Sequence, residues 1–312
     1  MVQWSTRHQS MNTPSQQSTV APNVIQEPPR AGFLKWLRAR AGNCLAILLH
    51  GSPLGRFRML ATYLKISFKV KLLVDVLKIR VEEEKVFSQT ICFADYNTFL
   101  ILFEEIFLTS VYHFQSENRA PAILDAGANT GMSVAYFKTI YPDCRIIAFE
   151  PDPANFKLLG KNVTRNGWAN VELHNVALHR RDAELDFFDY NDRPGALSNG
   201  FWRPSEAGPA KKVITVRAVP LSRHVEGPID MLKMDIEGSE HDVLEDLVES
   251  GKLAAIQRMT MEYHHHVQRR DDRLGELLCR LEEAGFGYHI CAPLALPFPQ
   301  EETQNFMLRA YR

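Results

Sequence analysis

The segment from Asp125 to Gly131 has the residue types and the spacing of a ligand-binding turn. It reads DAGANTG and follows a short apolar run, so an acid and a glycine-rich turn close a buried strand. Gly127 and Gly131 let the backbone adopt positive φ and approach a ligand closely. Asn129 and Met132 stand where a dinucleotide-binding turn has its second and third glycines, so a pyrophosphate would fit poorly. The turn instead favours a phosphate-free ligand whose amino-acid end bonds to backbone amides and to a carboxylate.

Glu150 is the second candidate, because it ends another apolar run about twenty residues further along the chain. A carboxylate at this place accepts hydrogen bonds from two ribose hydroxyls in nucleotide-binding folds of either kind. The structural alternative is that Glu150 caps the helix that follows Pro151. Asn175 and Ala177 end a third strand-like segment, where an amide and a small residue could frame an adenine ring, although Asn is also a common turn residue.

A carboxylate cluster follows the fourth apolar run. Asp235 closes the segment MLKMD, and Glu237 and Glu240 follow across a turn opened by Gly238. Ligands bind at the carboxyl edge of open α/β sheets, so we expect these carboxylates to face a ligand. They could deprotonate a hydroxyl, hold a divalent metal, or bond to an amine. Glu240 is equally explained as an acid that complements the dipole of the next helix.

A fifth apolar run ends in three histidines, of which His264 is the first. On an extended chain Glu262, His264 and His266 share one face. An imidazole titrates near neutral pH, so His264 is a candidate general base. No cysteine partner or HExxH helix accompanies the histidines, so we expect no metal site here, and His265 and His266 are also explained as loop residues.

The elements that must position these residues alternate from residue 122 onward, as parallel βαβ units do. We predict an α/β fold with helices that begin near residues 131, 154, 239 and 271. The expected strands are 122–125, 145–150, 171–177, 231–235, 256–263, 288–291 and 305–310. Residues 184–190 and 212–218 alternate apolar and polar side chains, which predicts an antiparallel hairpin. The Gly-, Pro- and Ser-rich loop 191–210 between them is predicted to be a mobile flap.

The N-terminal part of the chain differs in composition. Residues 1–29 are polar and predict a disordered tail, residues 30–85 predict a basic helical extension, and residues 86–312 predict the catalytic domain. Between residues 30 and 80 there are 11 basic residues and one acid, Asp75, although the net charge of the chain is −1. This favours a solvated face on a helical lid, and contact with anionic lipid or an acidic partner is the alternative.

The order DAGANTG, IIAFEPDP, NVAL, hairpin, MLKMDIEGSE and MEYH resembles the FkbM family of methyltransferases from about residue 87 onward. The resemblance implies a class I methyltransferase Rossmann-like fold, with a mostly parallel seven-stranded sheet, helices on both faces and an inserted hairpin. It also implies S-adenosyl-L-methionine as methyl donor and O-methylation of hydroxyls on secondary metabolites or sugars. Carried over, Asp125, Gly127, Asn129 and Gly131 contact the donor's methionine portion, Glu150 its ribose, and Asn175 and Ala177 its adenine. Asp235, Glu237 and His264 lie near the transferred methyl.

Two other classes of function stay open. A nicotinamide-dependent oxidoreductase would need phosphate contacts that residues 129–132 supply poorly. A non-catalytic protein that associates with a membrane or a partner would use the basic N-terminal helices. We expect a cytoplasmic enzyme with a small hydroxylated acceptor and no nucleic-acid partner, and with peripheral membrane contact through residues 30–80 as the alternative. A divalent metal and the oligomeric state are left open.

Overall fold

The computed structural model describes residues 33–189, 210–265, 273–292 and 304–312. The α-helices are α1 Phe33–His50, α2 Arg56–Lys69, α3 Tyr96–Leu102, α4 Met132–Ile140, α5 Pro153–Asn166, α6 Glu240–Glu249 and α7 Leu274–Glu283. The strands are β1 Glu83–Val86, β2 Gln89–Cys92, β3 Ala122–Ala126, β4 Arg145–Phe149, β5 Val171–His174, β6 Ala177–Leu178, β7 Ala183–Asp189, β8 Lys212–Val219, β9 Met231–Met234, β10 Arg258–His265, β11 Gly287–Cys291 and β12 Gln304–Tyr311. Both α2 and α3 continue as π-helical turns, Val70–Val76 and Phe103–Leu108.

Seven strands form the central sheet in the order β11-β12-β10-β9-β3-β4-β5. The strand β12 runs in the direction opposite to that of the other six. The central strands β3 and β9 are buried along their whole length, as expected of parallel strands covered on both faces. Successive side chains point to opposite faces, so Ile123 joins one hydrophobic cluster and Leu124 joins the other.

Helices cover both faces of this sheet. α4 and α5 contribute to the cluster that contains Ile123, and α6 and α7 contribute to the cluster that contains Leu124. The predicted α/β class, the mostly parallel seven-stranded Rossmann-like sheet and the helices on both faces are therefore confirmed.

A smaller sheet beside the carboxyl edge contains the predicted hairpin. β7 pairs antiparallel with β8, from Ala183 opposite Ala218 to Asp189 opposite Lys212. The third predicted strand, 171–177, is divided: β5 ends at His174 in the main sheet, and β6 pairs with β8 in the small sheet. The division follows from Asn175, whose side-chain Nδ2 donates to the backbone oxygens of Glu150 and Pro151 and turns the chain away from β4. The flap predicted for 191–210 lies outside the described residues, except for residue 210.

The segment before the main sheet has a sequence that predicts one short strand at residues 86–93. It forms the hairpin β1–β2 instead, because Phe87 adopts a left-handed turn conformation with φ 55°. Asp95 caps α3, as its position predicts, by accepting a hydrogen bond from the Thr98 amide at 2.7 Å. The sequence predicts that this helical stretch runs to about Phe114, but it ends six residues earlier, at Leu108.

The helices α1 and α2 pack onto the cluster that contains Ile123, through buried side chains such as Ile47, Met59 and Tyr63. The Tyr63 hydroxyl accepts a hydrogen bond from Asn43 on α1 and donates one to Glu104. Within the described residues, no helix is long and apolar enough to cross a membrane. Residues 1–29 lie outside the described part, and the division of the chain at residues 29 and 85 stays a prediction.

Candidate functional site

The turn after β3 is held in place by contacts with both neighbouring strands. Gly127 has φ 82°, and a Cβ on it would lie 1.8 Å from the backbone oxygen of Asp235. The amides of Gly127 and Ala128 both donate to the Phe149 carbonyl, at 3.0 and 2.9 Å. The absence of a side chain at Gly127 is therefore what allows the ends of β3 and β9 to lie this close.

Asn129 and Gly131 complete the turn. Asn129 also has positive φ, at 48°, and its amide donates to Glu150 Oε2 at 2.8 Å. Gly131 has φ 94° and precedes α4, and a Cβ there would lie 2.8 Å from the Leu159 side chain. The absence of a side chain at Gly131 thus allows α5 to pack against the turn. Asn129 connects the turn to the Glu150 carboxylate at the end of β4.

Asp125 lies beneath the turn rather than on its surface. Its side chain is fully buried, and Oδ2 accepts a hydrogen bond from the Ser133 hydroxyl at 2.5 Å. Burial raises the pKa of this carboxyl, and Lys233, whose Nζ lies 3.5 Å from Oδ1, acts in the opposite direction. A direct contact of Asp125 with the donor, which the resemblance implies, stays a prediction.

Lys233 is the functional candidate that the sequence analysis missed. It is buried in the middle of β9, and its Nζ donates to the backbone oxygens of Ala126 and Gly127. The same nitrogen lies 3.8 Å from Asp235 Oδ2, so one ammonium group holds the ends of β3 and β9 together. A lysine inside an otherwise apolar strand was the available signal, because a buried cation needs carboxylate or carbonyl partners.

Glu150 faces the cleft from the end of β4, with only 5% of the residue exposed. Oε1 accepts from the Asp152 amide at 2.9 Å, and Oε2 accepts from the Asn129 amide. Burial raises its pKa to about 7 against the lowering effect of these hydrogen bonds. The helix cap is Asp152, whose carboxylate accepts from the Ala154 amide at 2.7 Å, so the carboxylate of Glu150 itself is directed toward the turn.

A cleft opens between the turn, the ends of β4 and β9, and the small sheet. Six of the ten predicted site residues line it: Gly127, Asn129, Glu150, Ala177, Asp235 and Glu237. Four do not: Asp125 and His264 are buried beneath it, Gly131 packs on α5, and the Asn175 amide is occupied by backbone carbonyls. No lysine, arginine or histidine is among the described lining residues, so the lining charge is carried by carboxylates.

His264 lies behind these carboxylates, with 3% of its side chain exposed. Nδ1 is 2.8 Å from Glu240 Oε1, and Nε2 is 3.4 Å from Glu237 Oε2. Burial alone would lower the pKa of His264, but the two carboxylates outweigh it and raise that pKa to about 10. Glu240 also accepts a hydrogen bond from the Gly238 amide, so it holds both the turn and the imidazole.

Further carboxylates surround this histidine. Burial, together with neighbouring carboxylates, raises the pKa of both Glu237 and Glu262. Glu105, which precedes the end of the helical stretch after α3, has its pKa raised by burial and by Asp235. Glu105 and Glu262 belong to the same electrostatic cluster as Asp235. Asp235 follows β9 and Glu262 lies within β10, whereas Glu105 comes from the π-helical turn after α3.

Asp235, Glu237 and His264 each offer one ligand atom, and the three atoms lie within 4.8 Å of one another. Two carboxylates and an imidazole are a suitable ligand set for a divalent ion. A divalent metal ion bound by these three atoms is therefore the alternative to a proton that the same three groups share.

The model of the methyltransferase FkbM domain matches residues 125–288, which is more than half of the chain. The chain belongs to the FkbM methyltransferase family. The resemblance read from the motifs is thereby confirmed, and the chain is a member of an enzyme family. The FkbM match begins at the acid of the turn and ends in β11, so α1 to α3 lie outside it.

Two fungal proteins are similar to this FkbM-family chain. Methyltransferase 1 of Beauveria bassiana (strain ARSEF 2860) is 32% identical over 162 residues, which are 46% of this chain and 65% of that protein. Methyltransferase sdnD of Sordaria araneosa is 27% identical over 177 residues, 47% of this chain and 68% of that protein. The chain thus spans slightly less than two thirds of the first of these relatives.

Among solved structures, a methyltransferase FkbM from Methylobacillus flagellatus KT aligns with a TM-score of 0.44 and 14% identity. The alignment covers 80% of this chain and 60% of that chain.

Proposed function

We propose that this chain is an S-adenosyl-L-methionine-dependent methyltransferase that methylates a hydroxyl oxygen of a small secondary metabolite or sugar-containing molecule. The observation that carries the proposal is the charge of the cleft, whose described lining includes Glu150, Asp235 and Glu237 and no cationic side chain. Such a lining attracts a ligand that bears a sulfonium and an ammonium group. It repels a pyrophosphate, which argues against the nicotinamide-dependent alternative.

The shape of the cleft fits the same donor. Glu150 lines the cleft, and we infer that its carboxylate accepts hydrogen bonds from ribose hydroxyls. Phe149, Ala177 and Leu178 also line the cleft and would form an apolar wall for an adenine ring. The carboxylates of Asp235 and Glu237 lie on the other side of the turn, where the amino-acid end and the reacting centre would lie. Asn175 would act indirectly, because its hydrogen bonds to the carbonyls of Glu150 and Pro151 fix the backbone beside the adenine wall.

When bound, the donor supplies a sulfonium methyl group that an acceptor oxygen takes by in-line displacement, with a thioether as the leaving group. The chain's own residues bind and orient the two reactants, which is worth about 7–11 kcal/mol in well-oriented reactions. His264 is the proposed final acceptor of the hydroxyl proton, which reaches it through Glu237, because Glu237 lines the cleft and the imidazole does not. With a pKa of about 10, His264 is an imidazolium at pH 7, and an imidazolium cannot accept a proton. The role therefore requires that the positive charge of the bound donor lower the pKa of His264.

We expect donor binding to release protons at pH 7, because a bound cation favours the deprotonated forms of Glu150, Glu237, Glu262 and His264. Burial or carboxylate neighbours raise the pKa of all four. Donor affinity should therefore rise with pH, by about three- to tenfold between pH 6 and 8. Titration calorimetry in two buffers of different ionisation enthalpy measures the released protons.

S-adenosylhomocysteine is the matched control ligand, because it has no sulfonium charge and should release fewer protons. Glu237→Gln should also reduce the release on binding of the methylated donor. Identical binding enthalpies in the two buffers would contradict the electrostatic interpretation of the cleft.

His264→Gln is expected to lower turnover about 100-fold at pH 7 without weakening donor binding, because it removes the proton acceptor together with a buried positive charge. The imidazole lies beneath the cleft wall and has no lining surface, so its loss should affect proton transfer more than binding. Turnover and donor affinity are measured by methyl incorporation and by calorimetry. His179→Gln, a partly exposed histidine near Asp242, is the control, and equal turnover in both variants would remove His264 from the mechanism.

The whole proposal is tested by incubating the purified protein with isotopically labelled donor and a panel of hydroxylated metabolites. Mass spectrometry should show an acceptor that gains one methyl group in place of one hydrogen. If calorimetry shows that the protein binds NADH and does not bind S-adenosyl-L-methionine, the oxidoreductase alternative replaces the proposal.

A further inference from the structure

Helix α2 has apolar side chains on two of its faces. One face packs into the core through the buried residues Met59, Tyr63 and Ile66. The other face is exposed: Phe57 is 77%, Leu64 48% and Phe68 63% accessible. A helix that lies on a globular core needs only one apolar stripe. The second stripe therefore has no role in the fold of the described residues.

The exposed residues of α2 form a continuous stripe. Phe57, Ala61, Leu64 and Phe68 are separated by four, three and four positions, which places them on one side of a helix. The neighbouring helix α1 repeats the pattern with the exposed residues Leu37, Ala41, Leu45 and Leu48. We call these two stripes the apolar face.

Exposed apolar side chains are concentrated in this region. Of the fifteen large apolar side chains that are exposed in the described residues, eleven lie between Leu37 and Ile79. Single exposed apolar residues are normal on protein surfaces, but a contiguous group marks a binding surface. The concentration indicates that something covers the apolar face.

The basic residues of this region indicate which kind of partner covers the apolar face. A shallow groove beside Ala61 is lined by Arg58, Lys65, Lys85 and Ser88. Arg58 lies over the ring of Phe87, with 4.3 Å between the guanidinium carbon and the ring centroid, and Lys65 is paired with the buried Glu84 at 2.9 Å. Three cations and a hydroxyl around one groove suit the phosphate of a lipid headgroup.

The charge of the whole segment favours the same ligand. Its 11 basic residues against one acid give residues 30–80 a formal charge of +10 within a chain of −1, and three acids outside the segment, Glu82, Glu84 and Glu104, offset only part of it. A second copy of the chain would bring the same positive charge to this face, which disfavours a symmetric dimer through it. An anionic membrane surface provides both the negative charge and the apolar environment.

We propose that α1 and α2 form a peripheral binding surface for anionic phospholipid membranes. Phe57, Leu64 and Phe68 enter the boundary between headgroups and acyl chains, and the groove of Arg58, Lys65 and Lys85 contacts lipid phosphates. The proposal is independent of the methyl-transfer chemistry, because it rests on residues outside the cleft.

The test is flotation of the full chain with vesicles of phosphatidylcholine alone and with about 30% phosphatidylserine added. We expect binding only to the anionic vesicles, and weaker binding at high salt. The variant Phe57→Gln/Leu64→Gln/Phe68→Gln keeps good helix formers on α2 and should lower the vesicle partition coefficient about tenfold or more. Ile290→Gln, which changes an exposed apolar residue on β11, is the matched control and should bind as the unmodified chain does.

Other outcomes overturn the proposal. No binding to anionic vesicles, or equal binding by the triple variant and the unmodified chain, excludes a lipid-binding role for the apolar face. Light scattering that shows a dimer in the unmodified chain and a monomer in the triple variant, without vesicle binding, assigns the face to a second copy. Circular dichroism and binding of S-adenosylhomocysteine, measured on each variant, separate loss of the surface from loss of the fold.

Discussion

Replacing Lys233 with methionine is expected to lower the free energy of unfolding by about 3–5 kcal/mol and to abolish donor binding. Methionine has a similar length and keeps the packing of β9, but it removes the cation beside Asp125, which is fully buried. It also removes the hydrogen bonds to the carbonyls of Ala126 and Gly127, of which the Ala126 carbonyl keeps the Asp235 amide as a donor. Urea denaturation measures the loss of stability, and calorimetry measures donor binding.

The control is the double variant Lys233→Met/Asp125→Asn. An asparagine keeps the hydrogen bond with Ser133 and carries no charge, so it should recover a large part of the stability that Lys233→Met loses. Donor binding should stay weak, since the Gly127 carbonyl still lacks its partner. If the single and double variants are equally unstable, charge compensation is not the role of Lys233.

Gly127→Ala should destabilise the protein by about 2–6 kcal/mol. A left-handed φ costs a non-glycine residue about 1–3 kcal/mol, and overpacking costs a similar amount. The overlap is severe here, because the new Cβ would lie 1.8 Å from the backbone oxygen of Asp235. Relief requires β3 and β9 to separate at their ends, which should also disrupt the cleft and prevent donor binding. Urea denaturation and calorimetry measure the two effects.

Gly251→Ala separates the two causes. Gly251 has φ 69°, and a Cβ there would meet nothing within 4 Å, so this variant has the conformational cost without the overlap. It should lose only about 1 kcal/mol and bind the donor normally. Equal losses in the two variants would show that the backbone of Asp235 yields easily and that the turn tolerates a side chain.

The arrangement of the main sheet could be predicted because its signals are local. Each parallel strand is a short apolar run that ends in a polar residue or a turn, and the helices between the strands begin near the expected positions. The divided third strand could not be predicted, since Ala177 leaves the sheet only through contacts that Asn175 makes with residues 25 and 24 positions earlier. No pattern within residues 171–177 records those contacts.

In the candidate site, the sequence likewise could not predict how deeply each side chain is buried. The sequence places Asp125, Glu150 and Asp235 at neighbouring strand ends, and the structure brings all three to the same edge of the sheet. The sequence alone does not show which carboxylates line the cleft. Asp125 and His264 are buried beneath the lining because Lys233 and Glu240 hold them there. Depth depends on such pairings, and their partners come from distant parts of the chain.

By itself, the sequence determined the α/β class, the family and the positions of most strand ends, because hydrophobic periodicity and glycine-rich turns act over a few residues. Only the tertiary structure decided two other features. One is the pairing of charges, which raises the pKa of His264, and the other is which of the two apolar faces of α2 is buried. Both decisions depend on burial, and burial is set by the packing of segments far apart in the chain rather than by local sequence.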